Sequence, residues 1–151
     1  MVPGGESRQE SVRNALAWVS SETVVIHDAA RPLATPDLVR RVIAALDGWE
    51  GAIAAVPVDE TLKLVRDATV EKTVDRVGLW HAQTPQAFRT DALRAAHERA
   101  GDVGGSVTDD AELIEANGGR VCVVSSSRAN LKITYPEDFA VAEALLRRAD
   151  S

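Results

Sequence analysis

The sequence has one cysteine, few aromatic residues and no run of positive charge. Its lone thiol, Cys122, excludes a disulfide within one chain and a metal site built on several thiolates. Lys and Arg number 17 against 23 Asp and Glu, and a net charge of −6 argues against nucleic acid as a partner. No apolar run reaches membrane-spanning length, and the N-terminus lacks a signal-peptide pattern. We therefore predict a cytoplasmic protein that binds neither nucleic acid nor membrane.

What is present is a chain of 151 residues, 45% hydrophobic, which suffices for one domain with a core. Helical and extended patterns alternate along it. They predict helices at residues 7–19, 35–46, 90–100, 108–117 and 136–148, and buried strands at 24–26, 52–56 and 121–124. Cys122 is expected to be a small core residue of the last of these strands. The pattern predicts an α/β domain with a Rossmann-like, mostly parallel sheet flanked by helices.

Residues 58–76 break this rhythm, because two alternating segments flank a turn at Asp67 and Ala68. Such a pattern is typical of a β-hairpin. Its apolar residues have no obvious cover within the domain. We therefore predict a β-arm that projects from the domain and is covered by a partner subunit.

A polar pair, His27 and Asp28, follows three β-branched residues, a pattern that predicts a strand buried on both faces of a parallel sheet. Ligands of open α/β sheets bind outside the carboxyl ends of the strands. Asp28 is therefore placed to meet a metal ion or a substrate hydroxyl, and Arg31 to meet a phosphate. The alternative, a turn-forming Asp with a solvent-exposed Arg, fits this segment equally well.

Lys132 lies in a short extended segment that leads into a helix opened by Pro136. A compact ammonium held between two rigid elements suits a phosphate. The alternative is a lysine of an edge strand that points into solvent. Among the other polar residues, we expect Trp80 and His81 to pack in the interior, and His97 to face solvent without a role.

Several motifs occur together in the order of one family: 27–32 (HDAARP), 73–76 (TVDR), 79–86 (LWHAQTPQ), 108–110 (TDD) and 130–132 (NLK). With the opening segment 2–12, they make the whole chain resemble the 2-C-methyl-D-erythritol 4-phosphate cytidylyltransferases. These enzymes of the non-mevalonate isoprenoid pathway join CMP to methylerythritol phosphate. The resemblance implies CTP and methylerythritol phosphate as substrates, Mg²⁺ as cofactor, and a homodimer formed through the β-arm.

The resemblance also implies roles for individual residues. The residues expected to meet the nucleotide are Gly5, Glu6, Ser11 and Ala29. The residues expected to line the second substrate are Arg31, Thr61, Thr84 and Thr108. Asp28 is expected to join nucleotide, metal and acceptor, Lys132 to stabilise the reacting phosphates, and Arg76 to reach the acceptor phosphate in the neighbouring subunit.

The chain departs from the family pattern at its start. Family members open with a strand and a glycine-rich loop that binds the triphosphate, whereas this chain opens on the turn at Gly4 and Gly5. We therefore expect a fragment that lacks the family's first strands and is inactive by itself. The alternatives are a cytidylyltransferase for another polyol phosphate, such as ribitol 5-phosphate, and a non-catalytic, dimer-forming remnant.

Overall fold

The computed structural model describes residues 2–100 and 109–149. Within these ranges the elements are α1 (Arg8–Leu16), β1 (Thr23–Ile26), α2 (Pro36–Ala44), β2 (Gly51–Pro57), β3 (Leu62–Arg66), β4 (Thr69–Val74), β5 (Trp80–Arg89), α3 (Thr90–Ala100), α4 (Asp110–Ala116), β6 (Val121–Ser125) and α5 (Pro136–Ala149). None of the helices in the described ranges has the length and apolar character needed to cross a membrane.

The main sheet has four strands in the order β1-β5-β2-β6. Strand β2 pairs parallel with β6, whereas β5 pairs antiparallel with both β1 and β2. Three strands therefore point the same way and β5 alone opposes them, which confirms a mostly parallel orientation. The predicted environment of β1 is wrong, because this strand pairs antiparallel and all four of its residues are only half-buried.

Helices cover both faces of this sheet. On one face, α1, α3 and α4 pack with Phe88 of β5 around a core that includes Leu16, Leu93 and Ile114. On the other, α2 packs Leu38 and Val42 against small residues of the sheet. Alternate side chains of a strand point to opposite faces, so the two cores share the same strands. The α/β architecture is thereby confirmed.

Strand β5 was not predicted from the sequence, although it lies inside the sheet. Pro85 cannot donate to a ladder and normally argues against a central strand. Here the pairing with β2 shifts register between Ile53 and Ala55, opposite residues 82–86 of β5. The irregularity accommodates the proline, whose peptide bond with Thr84 is cis. It also leaves Gln83 and Thr84 outside the ladder to β2.

Side-chain caps start three of the helices. Ser7 accepts a hydrogen bond from the Glu10 N–H, and Thr35 accepts one from the Leu38 N–H. Asp109 caps α4, and its side chain accepts a hydrogen bond from the Ala111 N–H. Helix α3 begins at Thr90 as predicted, but the Thr90 hydroxyl has no hydrogen-bond partner in the described part of the chain, so it does not cap the helix.

Strands β3 and β4 form a separate two-stranded sheet, as the sequence predicts. Asp67 and Ala68 both have positive φ, 47° and 59°, the geometry of a tight hairpin turn that follows the twist of the strands. Leu64, Val65 and Val70 are exposed on this arm. Its apolar surface is therefore open in a single copy of the chain.

Ile43 and Cys122 are both more exposed than the buried core residues. Ile43 of α2 is 41% exposed, because the buried residues of this helix are Leu38 and Val42. Cys122 is half-buried, and its thiol donates to the Ala45 carbonyl oxygen at 3.3 Å. Burial raises the pKa of the Cys122 thiol, which disfavours the reactive thiolate.

Candidate functional site

The site lies at the carboxyl edge of the sheet, where the loops after β1 and β6 meet the irregular part of β5. Three openings converge there. The central cavity, about 270 Å³, is lined by Arg8, Asp28, Arg31, Ala82, Gln83, Thr84, Gln86, Asp109 and Lys132. The outer cavity, about 380 Å³, is lined by Arg31, Val56, Asp59, Glu60, His81, Ala82, Gln83, Arg128, Leu131 and Lys132. The apolar groove, about 430 Å³, is lined by Arg8, residues 11, 12, 15, 16 and 19 of α1 and its end, and residues 24–29.

Asp28 links the two cations of the central cavity. Its Oδ2 lies 3.3 Å from Lys132 Nζ and 3.7 Å from Arg31 Nε. The Asp28 and Arg31 side chains are only 21% and 12% exposed, whereas that of Lys132 is 51% exposed. Burial lowers the pKa of Arg31, and the charge of Asp28 opposes that shift. The structure thus brings Asp28 and Lys132, which were expected at the reacting phosphates, together with Arg31, which was expected to line the second substrate.

Arg31 ties two loops that are distant in sequence. Its guanidinium donates to the Asn130 carbonyl oxygen at 2.8 Å, across 99 residues of chain. Beside it, the Ile133 N–H donates to the Ala30 carbonyl oxygen at 2.8 Å. Lys132 therefore sits in a segment between β6 and α5 that belongs to no strand and is held by these contacts.

Asn130 links the Lys132 loop to β5 through hydrogen bonds. It is 3% exposed, and its amide donates to the Gln83 side-chain oxygen and to the Thr84 carbonyl oxygen, each at 2.9 Å. Sequence reasoning gave Asn130 and Gln83 no role. The sequence pointed to these two residues only through their position inside motifs of the family. Their contacts with each other depend on the tertiary fold.

Thr84 supports the Asp28 backbone. Its hydroxyl oxygen accepts the Asp28 N–H at 2.9 Å and lies 3.0 Å from Nδ1 of His27. Nε2 of His27 lies 3.0 Å from the Arg31 carbonyl oxygen, which can only accept, so this nitrogen is the donor. The predicted contact between Thr84 and a second substrate stays a prediction; what the structure contains is a buried hydroxyl that positions Asp28.

The turn that opens the chain is closed by its own side chains. The Gly5 N–H donates to the Ser11 hydroxyl at 2.9 Å, and that hydroxyl donates to the Ser7 carbonyl oxygen at 2.9 Å. The Glu6 N–H donates to the Glu10 carboxylate at 2.6 Å. Ser11 lines the apolar groove together with Ala29. The nucleotide-binding role of these residues stays a prediction.

The arm residues Thr61 and Arg76 do not join the central cavity of their own chain. Both are exposed; Thr61 immediately precedes β3, and Arg76 follows the end of β4. Trp80 and His81 are also exposed, so the expectation that they pack in the interior is wrong. His81 lines the outer cavity instead. Thr108, the remaining predicted substrate residue, lies outside the described residues.

The residues of the central cavity fit a magnesium ion bound together with phosphates. Mg²⁺ in such sites takes one or two carboxylates and completes its shell with substrate oxygens and water. Asp28 offers a carboxylate there, and Asp109 offers a second, whose Oδ2 accepts from Gln86 at 2.9 Å. No cluster of three or more side chains suited to a metal exists in the described ranges, so phosphate oxygens would have to complete the shell.

The fold and the site together define an α/β protein whose polar, phosphate-suited cavity lies at the carboxyl ends of its strands. Residues 1–148 match the family model described as 2-C-methyl-D-erythritol 4-phosphate cytidylyltransferase. The chain belongs to that family.

Individual relatives agree with this assignment. The chain is 49% identical to the enzyme of that name from Thermosynechococcus vestitus over 150 residues, which are 97% of this chain and 64% of the relative. It is 50% identical to the enzyme of that name from Cereibacter sphaeroides over 152 residues, covering 99% and 66%. The crystal structure of the enzyme of that name from Thermus thermophilus superposes with a TM-score of 0.87 at 39% identity, covering 95% of this chain and 71% of that one. The chain thus spans about two thirds of the length of the relatives it matches.

Proposed function

We propose that this chain contains the acceptor-binding part of a cytidylyltransferase, which transfers CMP from CTP to 2-C-methyl-D-erythritol 4-phosphate. The observation that carries the proposal is the cluster of Asp28, Arg31 and Lys132 at the central cavity, within a chain of this family. A phosphate oxygen of the acceptor attacks the α-phosphorus of CTP. The bond from that phosphorus to the bridging oxygen breaks, and pyrophosphate leaves with the electron pair.

Charge stabilisation and positioning are the main tasks of a protein in such a transfer. Lys132 brings a half-exposed ammonium to the mouth of the cavity, where a phosphate can approach it. Asp28 fixes that ammonium, and its own backbone is fixed by Thr84. Arg31 is more deeply placed and spans both cavities, which suits contact with the acceptor. A Mg²⁺ ion held by Asp28 would neutralise charge on the phosphate oxygens.

The open apolar surface of the β-arm supports a homodimer as part of the same proposal. Unpaired strand edges and exposed apolar side chains are normally covered in native proteins. Arg76 lies at the base of the arm and away from the central cavity of its own chain. In the dimer, Arg76 reaches the acceptor phosphate of the neighbouring subunit. The cytoplasmic location also stays a prediction.

The acceptor assignment is tested by calorimetric titration of methylerythritol phosphate against the chain, with ribitol 5-phosphate in a parallel titration. We expect the first compound to bind more tightly, and Arg31→Ala to weaken that binding. Arg40→Ala, which removes a cation from an exposed position of α2, is the matched control and should bind as the wild type does. Equal or tighter binding of ribitol 5-phosphate would support the alternative acceptor. Pyrophosphate release from CTP that requires methylerythritol phosphate would establish the transfer and would contradict the expectation that the chain is inactive by itself.

A further inference from the structure

Arg8, the first residue of α1, stands where two openings of the site meet. It lines both the apolar groove and the central cavity, as Asp28 also does. The groove contains Ser11 and Ala29, and the central cavity contains Lys132. A group that joins a nucleotide in the groove to an acceptor in the cavity would therefore pass Arg8.

The guanidinium of Arg8 forms an ion pair with a buried carboxylate. Arg8 Nη1 lies 2.6 Å from Oδ2 of Asp110, whose side chain is 1% exposed. The other oxygen of Asp110, Oδ1, lies 3.1 Å from Nε2 of His97, whose side chain is 2% exposed. His97 was expected to face solvent, and that expectation is wrong because the packing of α3 against α4 buries it. The three residues connect α1, α3 and α4.

A carboxylate this deeply buried is costly unless it is paired and hydrogen-bonded. Asp110 meets both conditions through Arg8 and His97. The ion pair also restricts Arg8, because Nη1 lies 2.6 Å from Asp110 Oδ2, although that oxygen accepts no hydrogen bond in the described part of the chain. A guanidinium has five N–H donors, and the Arg8 side chain is 35% exposed and lines the central cavity, so donors remain available to a ligand there. Arginine in such a restrained position is well suited to phosphate oxygens.

We propose that Arg8 is a further phosphate-binding residue of this site, that its ligand is the α-phosphate of the nucleotide, and that Asp110 and His97 position its guanidinium. The identity of the nucleotide rests on the proposed function. The assignment to the α-phosphate follows from the placement of Arg8 between the groove and the central cavity. Asp110 and His97 are positioning residues, since both are buried behind Arg8.

The test compares cytidine 5′-monophosphate with cytidine, which lacks the phosphate, by calorimetric titration of the whole chain. We expect the wild type to bind the monophosphate more tightly. Arg8→Gln should reduce affinity for the monophosphate by about tenfold or more, the size of one lost charge-assisted hydrogen bond, and leave cytidine unaffected. Arg8→Lys keeps the charge but not the planar guanidinium, so its affinity for the monophosphate should lie between those of the wild type and Arg8→Gln. Arg40→Gln, the same change at an exposed position of α2, is the control.

Asp110→Asn tests the positioning role, because it removes the charge and keeps the volume. We expect it to weaken binding of the monophosphate but not of cytidine, and to add little once Arg8→Gln is present. His97→Gln should have a smaller effect in the same direction. If either buried substitution prevents folding, as judged by circular dichroism, the Arg8 variants decide the question.

The outcomes separate this inference from the proposed function. An Arg8→Gln variant that keeps the full preference for the monophosphate overturns the inference and leaves the proposed function standing. So does an affinity loss confined to methylerythritol phosphate in a parallel titration, because the phosphate at Arg8 would then belong to the acceptor. A wild type that binds cytidine and its monophosphate equally also overturns it. An Arg8-dependent preference in a chain with no acceptor binding supports the inference and contradicts the proposed function.

Discussion

Replacement of Lys132 by alanine separates a role in charge stabilisation from a role in folding. In the structure, Lys132 contributes one contact to stability, the ion pair with Asp28 at 3.3 Å, and its side chain is 51% exposed. Pairs of this kind contribute about 0–1 kcal/mol because water screens them. Asp28 also keeps Arg31 at 3.7 Å when the lysine is lost. We therefore expect the free energy of unfolding to change by less than about 1 kcal/mol.

The expected effect on the transfer is much larger. If the ammonium stabilises charge that develops at the α-phosphate, its loss should lower kcat by on the order of 10²-fold or more, with KM little changed. That factor corresponds to about 2.7 kcal/mol of transition-state stabilisation. Lys132→Arg should restore little, because a planar guanidinium does not replace a compact charge at a position fixed by the Asn130 and Ile133 contacts.

The assay is pyrophosphate release under saturating CTP and methylerythritol phosphate. It is measured on this chain if the chain is active, and otherwise on a longer polypeptide that contains it and carries out the transfer. Urea denaturation of the same samples gives the stability change, and Arg40→Ala is the control for loss of an exposed cation. Wild-type kcat in the Lys132→Ala variant would refute the reasoning. A loss of kcat accompanied by a stability loss of several kcal/mol would instead assign Lys132 to the fold.

Three further predictions concern the arm, the buried support of the site and the last helix. Val70→Lys, at a 54% exposed position of the arm, should shift sedimentation from dimer to monomer at micromolar concentration, and an unchanged dimer contradicts the proposed interface. Asn130→Ala should lower the urea-denaturation stability by about 2 kcal/mol, since it leaves the buried Gln83 oxygen unpaired, and a neutral result contradicts this role. Backbone N–H groups of residues 134 and 135 lower the pKa of Asp138, so its stabilising effect is present above the ordinary carboxyl pKa of about 4 and is lost as pH falls through the lower folded value. Asp138→Asn should remove this part of the acid dependence in a series of melts, and an unaltered pH dependence argues against it.

Local patterns in the sequence predict most of the helices and strands. Thr35 and Pro36 begin α2, and Pro136 begins α5, because capping and the fixed φ of proline act within a few residues. The hairpin turn at Asp67 is similarly local. Strand β5 was missed because its proline and glutamines are unfavourable for a central strand, and only the register shift opposite β2 accommodates them.

The candidate site, like the fold, was predicted only in part from the sequence. Asp28, Arg31 and Lys132 were identified from their motifs, and the structure places both cations within 3.7 Å of Asp28; their roles stay predictions. Asn130 received no role from the sequence and His97 was assigned to the surface. Their burial depends on partners from other elements, Gln83 in one case and Asp110 in the other. No periodicity within a single segment contains that information.

The sequence by itself determined most of the helices, the β-arm and the family to which the chain belongs, because these features depend on residues close together in the chain or on whole motifs. Only the tertiary structure decided which strands pair, which polar side chains are buried and how the loop of Lys132 is held. The Arg31 contact with Asn130 spans 99 residues. Such a contact exists only once β1 and β6 occupy one sheet, and the charges of the site are then brought within reach of one another.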